Sequence, residues 1–445
     1  MSEDLWNPKV EKMPQDEIKE LQIRRIRSQI NYVYFNSPWY KELYGKANVH
    51  PEDIKTLEDF GKLIPVFRKE ELREFRSKIG DPYHGMRCTP ESHLVQYWSS
   101  SGTTGLPTMG AYTRDDLNVA IEYLVRSYWD AGYRPGMKGF GININWHWVA
   151  PVLYGMYQVL KITYCFDFFP PPVFAPRAAK CFMFHKFDCI PVSSPEIQVG
   201  FIPDLLSKAG YDPIEVLSSV KVMHMLGEPL TTKTRELLKE FYINAKIRDL
   251  SGCGETYCWA GETCDEHIGG HIWEDIGYPE LVDPDTSELV APGERGELVG
   301  TNLQVKGLPY IRWGSEDWAE IWEEPCERGI THRYARIYDR SAFRTKVKGW
   351  DYVPTDVEEI LRMHPETMKA QFCLVKYASE MDKLRINIAY DEDVTKDPEE
   401  LRQRLIKDIK EKLGVAAEIN WVKMDELPRP TGFKIKKFLD ISKEA

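Results

Sequence analysis

Between residues 16 and 34 the apolar positions Ile18, Leu21, Ile26, Ile30 and Val33 fall roughly on one helical face, with charged residues opposite. Further on, short apolar runs alternate with helical patterns. KVMHML (221–226) reads as a buried strand. TTKTRELLKEFY (231–242) reads as a helix opened by a threonine cap, and AKIRDL (245–250) as the next strand. This alternation predicts parallel α/β packing. The stretch 282–299 differs: two strand-like edges flank the turn-rich DPDT and PGERG, which predicts an antiparallel hairpin. A break falls near residue 338. Beyond it FCLVKYA, KLRINIAY and AEINWVKM read as strands, and Leu401, Leu405, Ile409 and Leu413 mark a helix. The expected fold is α/β: a large domain over 1–338, with parallel-type sheets sandwiched by helices and a small β-rich subdomain, then a small α+β domain over 339–445.

One run could be read as membrane-spanning. From Gly139 to Leu160 there is no Asp, Glu, Lys or Arg, and that length can cross a bilayer. It contains Asn143, Asn145, His147, Pro151 and Gln158, which are costly in lipid. A buried strand and helix is the better reading. The N-terminus MSEDLWNPKVEK has no basic start followed by an apolar core, so no secretory signal is expected and the location is read as cytoplasmic.

A chain of 445 residues exceeds one ordinary core. Its net charge of −11 argues against nucleic-acid binding, which needs a basic surface. Thirteen tryptophans and 23 tyrosines could furnish a flat apolar pocket as well as a core. Nine cysteines in a chain of this kind suggest thiols or a metal site rather than disulfides.

The loop SSSGTTGLPT (99–108) is rich in hydroxyls and glycine. Glycines let a backbone approach phosphate closely, and amides and hydroxyls donate to its oxygens. The P-loop pattern ends in Gly-Lys-Ser/Thr, whereas Leu106 follows Gly105 here and the loop has no lysine. The loop instead resembles the phosphate-binding loop of the adenylate-forming superfamily, most nearly that of phenylacetate–CoA ligases. Further segments resemble that family in its order: LGEP (226–229), SGCGET (251–256), YIRWGSEDWAEI (310–321), YDRSAF (338–343) and PRPTGFKIKK (428–437).

The resemblance implies roles. Ser99, Ser100, Ser101, Gly102, Thr103, Thr104 and Gly105 would bind the phosphates of ATP. Gly227, Glu228 and Pro229, with Ser251 and Gly252, would pack on adenine. Glu255 would hold Mg²⁺, Asp317 the ribose hydroxyls and Arg340 the ribose and phosphate. Lys434 would be the adenylation lysine. Ala342 and Phe343 replace the family's hinge aspartates, and Phe433 stands where glycine is usual. The C-terminal domain would be mobile and would present Lys348 and Gly349 to a CoA tunnel. The implied activity is ATP-dependent conversion of a carboxylic acid to an acyl-adenylate, then transfer to CoA. Trp146, His147 and Trp148 would line the acid pocket, favouring a small aryl or arylacetic acid. With no carrier domain after Ala445, free CoA is the expected acceptor; the alternatives are a carrier-protein thiol or a catalytically impaired nucleotide-binding homologue. A homodimer is compatible with this reading.

Finally, Cys253, Cys258, Cys264, His267 and His271 lie within 19 residues. Sulfur and imidazole are zinc ligands, and four make a closed site. The expected set is Cys258, Cys264 and His271 with Cys253 or His267, holding a structural zinc; reduced packed thiols are the alternative.

Overall fold

The structure is a computed structural model. It describes residues 5–99, 109–142, 149–167, 171–193, 195, 198–199, 202–265, 267–324, 326–368, 370–390, 395–423, 426–428 and 437–442. Two units emerge: residues 1–226 with 241–337, and residues 227–240 with 338–445. The division after Ile337 lies one residue from the expected boundary. In addition, the segment 227–240, including most of the helix Thr232–Phe241, groups with the C-terminal unit.

In the first unit β1 (Leu94–Ser99) and β2 (Met109–Thr113) form an antiparallel hairpin. Then follow β3 (Lys138–Ile142), β4 (Thr163–Asp167), β5 (Cys189–Ser193), β6 (Val222–Met225) and β7 (Lys246–Cys253), all mutually parallel. The uncharged run 139–160 supplies β3 and the helix Val149–Leu160, as expected. Next come β8 (Cys258–Gly261), β9 (Gly270–His271), β10 (Gly277–Val282), β11 (Gly296–Asn302), β12 (Trp313–Trp322) and β13 (Tyr334–Arg340). Here the pairings β7–β8, β8–β9, β9–β13, β10–β11 and β11–β12 are antiparallel.

Eleven strands among the described residues make one sheet in the order β10-β11-β12-β13-β9-β8-β7-β6-β5-β3-β4. The expected β-rich subdomain is therefore continuous with the parallel half. The join is the β7–β8 hairpin: the chain reverses after Cys253 instead of crossing over, so the sheet changes from parallel to antiparallel without a break.

Two apolar layers cover this sheet. Tyr123, Leu124, Tyr128, Val152, Leu153 and Met156, from the helices Arg114–Ala131 and Val149–Leu160, pack with Val222 and Leu250 of the parallel half. Ile26, Ile30 and Val33 of the helix Gln15–Asn36 pack with Leu298, Trp313 and Ile337 of the antiparallel half. The periodic apolar face read near the N-terminus is thus a core face. Each such side chain contributes about 1.5–3 kcal/mol by leaving water.

The second unit has a β14 (Thr345–Val347)–β15 (Trp350–Tyr352) hairpin. It also has a four-stranded sheet of β16 (Phe372–Lys376), β17 (Leu384–Ile388), β18 (Ala417–Trp421) and β19 (Phe438–Asp440). Its core joins Val357 and Ile360 of the helix Pro354–Leu361 to Leu401, Leu405 and Ile409 of the helix Pro398–Leu413.

Candidate functional site

Ser99, the last residue of β1, pairs with Met109, the first of β2. Both flanks of the hydroxyl-rich loop are therefore strands of one hairpin. Residues 100–108 lie outside the described residues, so Ser100, Ser101, Gly102, Thr103, Thr104 and Gly105 do too. Directly after β2 the helix Arg114–Ala131 starts with a capping box, Asp116 N–H to Thr113 Oγ1 at 3.2 Å and Thr113 N–H to Asp116 Oδ2 at 3.0 Å. The same Asp116 carboxylate accepts the amides of Lys306 and Gly307 at 2.7 and 2.9 Å, which ties β2 to the segment leading into β12.

Glu255 sits at the tip of the β7–β8 hairpin, where Cys253 pairs with Cys258. That hairpin requires glycine at 252. Its φ is +120°, and a Cβ there would stand 2.4 Å from the Cys258 carbonyl oxygen. Glu255 is half-buried, and the Cys253 thiol donates to its Oε2 at 3.4 Å. Burial, then the Glu255 charge, pushes the Tyr112 and Tyr310 phenols and the Cys253 thiol well above their ordinary ranges. Asp317, buried on β12, adds to the effect on Cys253, and its own amide donates to Ser315 Oγ at 3.1 Å. The two carboxylates that the sequence placed 62 positions apart thus both act on one buried thiol, beside the strand that follows the loop. Ser251, half-buried on β7, donates its hydroxyl to Asp249 Oδ2 at 2.9 Å.

In the second unit Gly227 is exposed with φ +98°, and Glu228 and Pro229 are half-buried. Lys437 reaches Glu228 at 3.5 Å and the buried Glu358 at 3.1 Å. Asp339 lies near the same lysine; burial raises its carboxyl to about 7, against the Arg340 amide, Lys437 and the Thr355 hydroxyl, which lower it. Arg340 itself is exposed, with its amide on Asp339 Oδ1 at 2.9 Å. Lys348 and Gly349 form the two-residue turn of the β14–β15 hairpin, with φ +50° and +87°, the signature of a type I′ turn. Lys434, like Trp146, His147 and Trp148, lies outside the described residues. Lys437 and Asp339 lie in the segments PRPTGFKIKK and YDRSAF, but the sequence reading gave neither a role, because the carboxylates that Lys437 meets are near it only in space.

The cysteine–histidine reading needs correcting. Among the described residues Cys264, His267, His271 and Cys326 bring one ligand atom each within 4.8 Å of one another. Cys253 and Cys258 are not in that group. They are cross-strand partners at the end of a hairpin, and both point into the apolar core beneath the antiparallel half. Cys326 lies 62 residues beyond Cys264, in the loop between β12 and β13, where sequence spacing gives no clue. The Cys264 thiol first, then His267 and His271, hold the Cys326 thiol far below its usual range. Among the described residues none of the nine cysteines forms a disulfide.

Residues 349–441 match the family of AMP-binding enzyme C-terminal domains. The chain is 29% identical over 476 residues to the phenylacetate-coenzyme A ligase of Thermus thermophilus, covering 99% of this chain and 100% of the relative. From end to end the chain is similar to phenylacetate–CoA ligases of the adenylate-forming superfamily. The Escherichia coli phenylacetate-coenzyme A ligase is 27% identical, with 95% of each chain covered. Among solved structures, a 2-hydroxyisobutyryl-CoA ligase in its postadenylation state aligns with a TM-score of 0.84 at 22% identity, covering 98% of this chain and 92% of that one. An anthranilate CoA ligase bound to anthranoyl-AMP aligns at 0.57 and 17% identity, over 78% and 67%. These two likenesses establish the shared fold.

Proposed function

We propose that this protein is an AMP-forming acid–CoA ligase whose acid is aryl or arylacetic, a role in aromatic compound degradation. The end-to-end relation to curated phenylacetate–CoA ligases carries the reading. The charge geometry supports it, since Glu255 and Asp317 flank the β2–β7–β12 region next to the hydroxyl-rich loop.

A carboxylate is a poor acyl donor because its charge and resonance resist nucleophiles. In the proposed reaction a carboxylate oxygen attacks the α-phosphorus of ATP and pyrophosphate leaves. A CoA thiol then attacks the acyl carbonyl, loses its proton to solvent, and AMP leaves. The protein's part is to position and to stabilise charge. Ser99 and the loop residues 100–105 donate to the phosphates. Asp317 accepts from the ribose hydroxyls, and Arg340 faces the ribose and phosphate. Gly227, Glu228 and Pro229, with Ser251 and Gly252, pack on the base. Lys434 neutralises charge during adenylation, and Lys348 and Gly349 line the path of the thiol.

The half-buried Glu255 carboxylate suits magnesium, which binds through one or two carboxylates plus substrate phosphates. Magnesium bound there neutralises phosphate charge. A structural zinc is a separate part of the reading, as are a cytoplasmic location and a homodimer. Among the described residues no helix is long and apolar enough to cross a membrane.

Trp146, His147 and Trp148 would give a narrow, flat, partly polar pocket. Benzoate, phenylacetate, phthalates and larger ring acids, each supplied with ATP, Mg²⁺ and CoA, test the proposal. Pyrophosphate release with thioester from a ring acid supports it. Release without thioester points to a carrier-protein thiol, and no release with any acid points to an impaired homologue; either result overturns it.

A further inference from the structure

The geometry points to a closed tetrahedral zinc site built from Cys264, His267, His271 and Cys326, outside the nucleotide machinery and independent of the ligase reading. The sulfurs of Cys264 and Cys326 are 3.7 Å apart. Two thiolates on one tetrahedral zinc, with Zn–S of about 2.3 Å, stand about 3.8 Å apart. A disulfide would need about 2.05 Å. Nε2 of His267 is 3.1 Å from Cys264 Sγ, on the same centre.

A second observation is independent of the spacing. Nδ1 of His271 is 2.8 Å from the His332 carbonyl oxygen. A carbonyl only accepts, so Nδ1 carries the proton and Nε2 carries a lone pair. His271 is fully buried, and that Nε2 has no hydrogen-bond partner among the described residues. A buried acceptor left so is destabilising, and a metal removes the cost. A carbonyl fixing the far nitrogen of a ligating histidine is the usual outer-shell support of a metal site. The surroundings are equally ordered. The His267 ring stacks on Tyr334 at 3.9 Å between centroids, and the buried Arg248 guanidinium donates to the Cys264 carbonyl at 2.9 Å.

Two thiolates and two imidazoles are a soft-to-borderline set that selects zinc over magnesium or calcium. Two thiolate charges also neutralise the ion, so the burial carries no net charge. Four protein ligands leave no open position, so the metal is structural. It cross-links the 264–271 segment that follows β8 to the loop that precedes β13, closing a span that no disulfide closes. β8 is the second strand of the hairpin that bears Glu255, and Arg248 lies on its first strand, so the staple braces that hairpin from behind.

Full-length protein purified without chelator, analysed by elemental mass spectrometry, should hold about one zinc per chain. Cys326→Ser and His271→Ala should each lose most of it. Cys258→Ser should keep it, because that thiol lies in the apolar core. Replacing zinc by cobalt should give the visible bands of tetrahedral thiolate coordination, a readout that stands on the wild type even if a variant fails to fold. The assignment is overturned by zinc-free protein that shows no cobalt bands on reconstitution, or by full metal retention in Cys326→Ser.

Discussion

At the scale of single residues, the proposed chemistry rests on charged groups, Lys434 first among them. Lys434 in PRPTGFKIKK stands where the family pattern carries its lysine. The neighbouring Lys437 is already engaged with Glu228 and Glu358, which leaves it committed to structure. Lys434→Ala is therefore expected to abolish pyrophosphate release from ATP and acid, yet to spare thioester formation from supplied acyl-adenylate and CoA. If both half-reactions survive unchanged, the lysine is misassigned. Lys437→Ala should instead lower stability, since it leaves the buried Glu358 without its lysine and, among the described residues, with Arg362 as its remaining cation. The candidate roles of Glu255 and Asp317 come from sequence, because each sits in a segment that resembles the family. Cys326 was not, because its partners are near only in space.

At the scale of elements, the hairpin that carries Glu255 depends on one glycine. Gly252→Ala forces a left-handed φ onto a residue with a Cβ, about 1–3 kcal/mol of strain, and sets that Cβ 2.4 Å from a carbonyl. Urea denaturation should show the loss of stability, and magnesium-dependent activity should fall with it. A stability equal to wild type would mean that the hairpin is not held as described. Strands and helices of the parallel half were readable from periodicity, since each buries a continuous apolar face. That the antiparallel strands continue the same sheet was not readable. Sheet continuity is decided by one reversal at residues 254–257, and periodicity is blind to which strands pair.

At the scale of the whole molecule, the N-terminal segment docks on the Asp130 carboxyl and through the Glu11 backbone carbonyl, with the Glu11 carboxyl buried near Asp130. The Trp6 amide donates to Asp130 Oδ1 at 3.3 Å, and the Thr331 amide to the Glu11 carbonyl at 3.0 Å. Burial pushes Glu11 up to about 7 and Asp130 up to about 8, the latter raised further by Glu11. In the unfolded chain both ionise near pH 4. Between about pH 4 and 8 the folded protein therefore binds more protons than the unfolded one, and stability falls as pH rises. Unfolding free energy should be lower at pH 8 than at pH 5, and Asp130→Asn should shrink that difference. A variant with an unchanged slope would remove the pair from the account.

The account's central claim is that the acid is activated as an adenylate before any thiol takes part. It is tested most directly by a single turnover with α-labelled ATP, magnesium and a ring acid in the absence of CoA. The account predicts labelled acyl-AMP and pyrophosphate, with the acyl-AMP converted to AMP and thioester once CoA is added. Labelled ADP, or no labelled product until CoA is present, would contradict it.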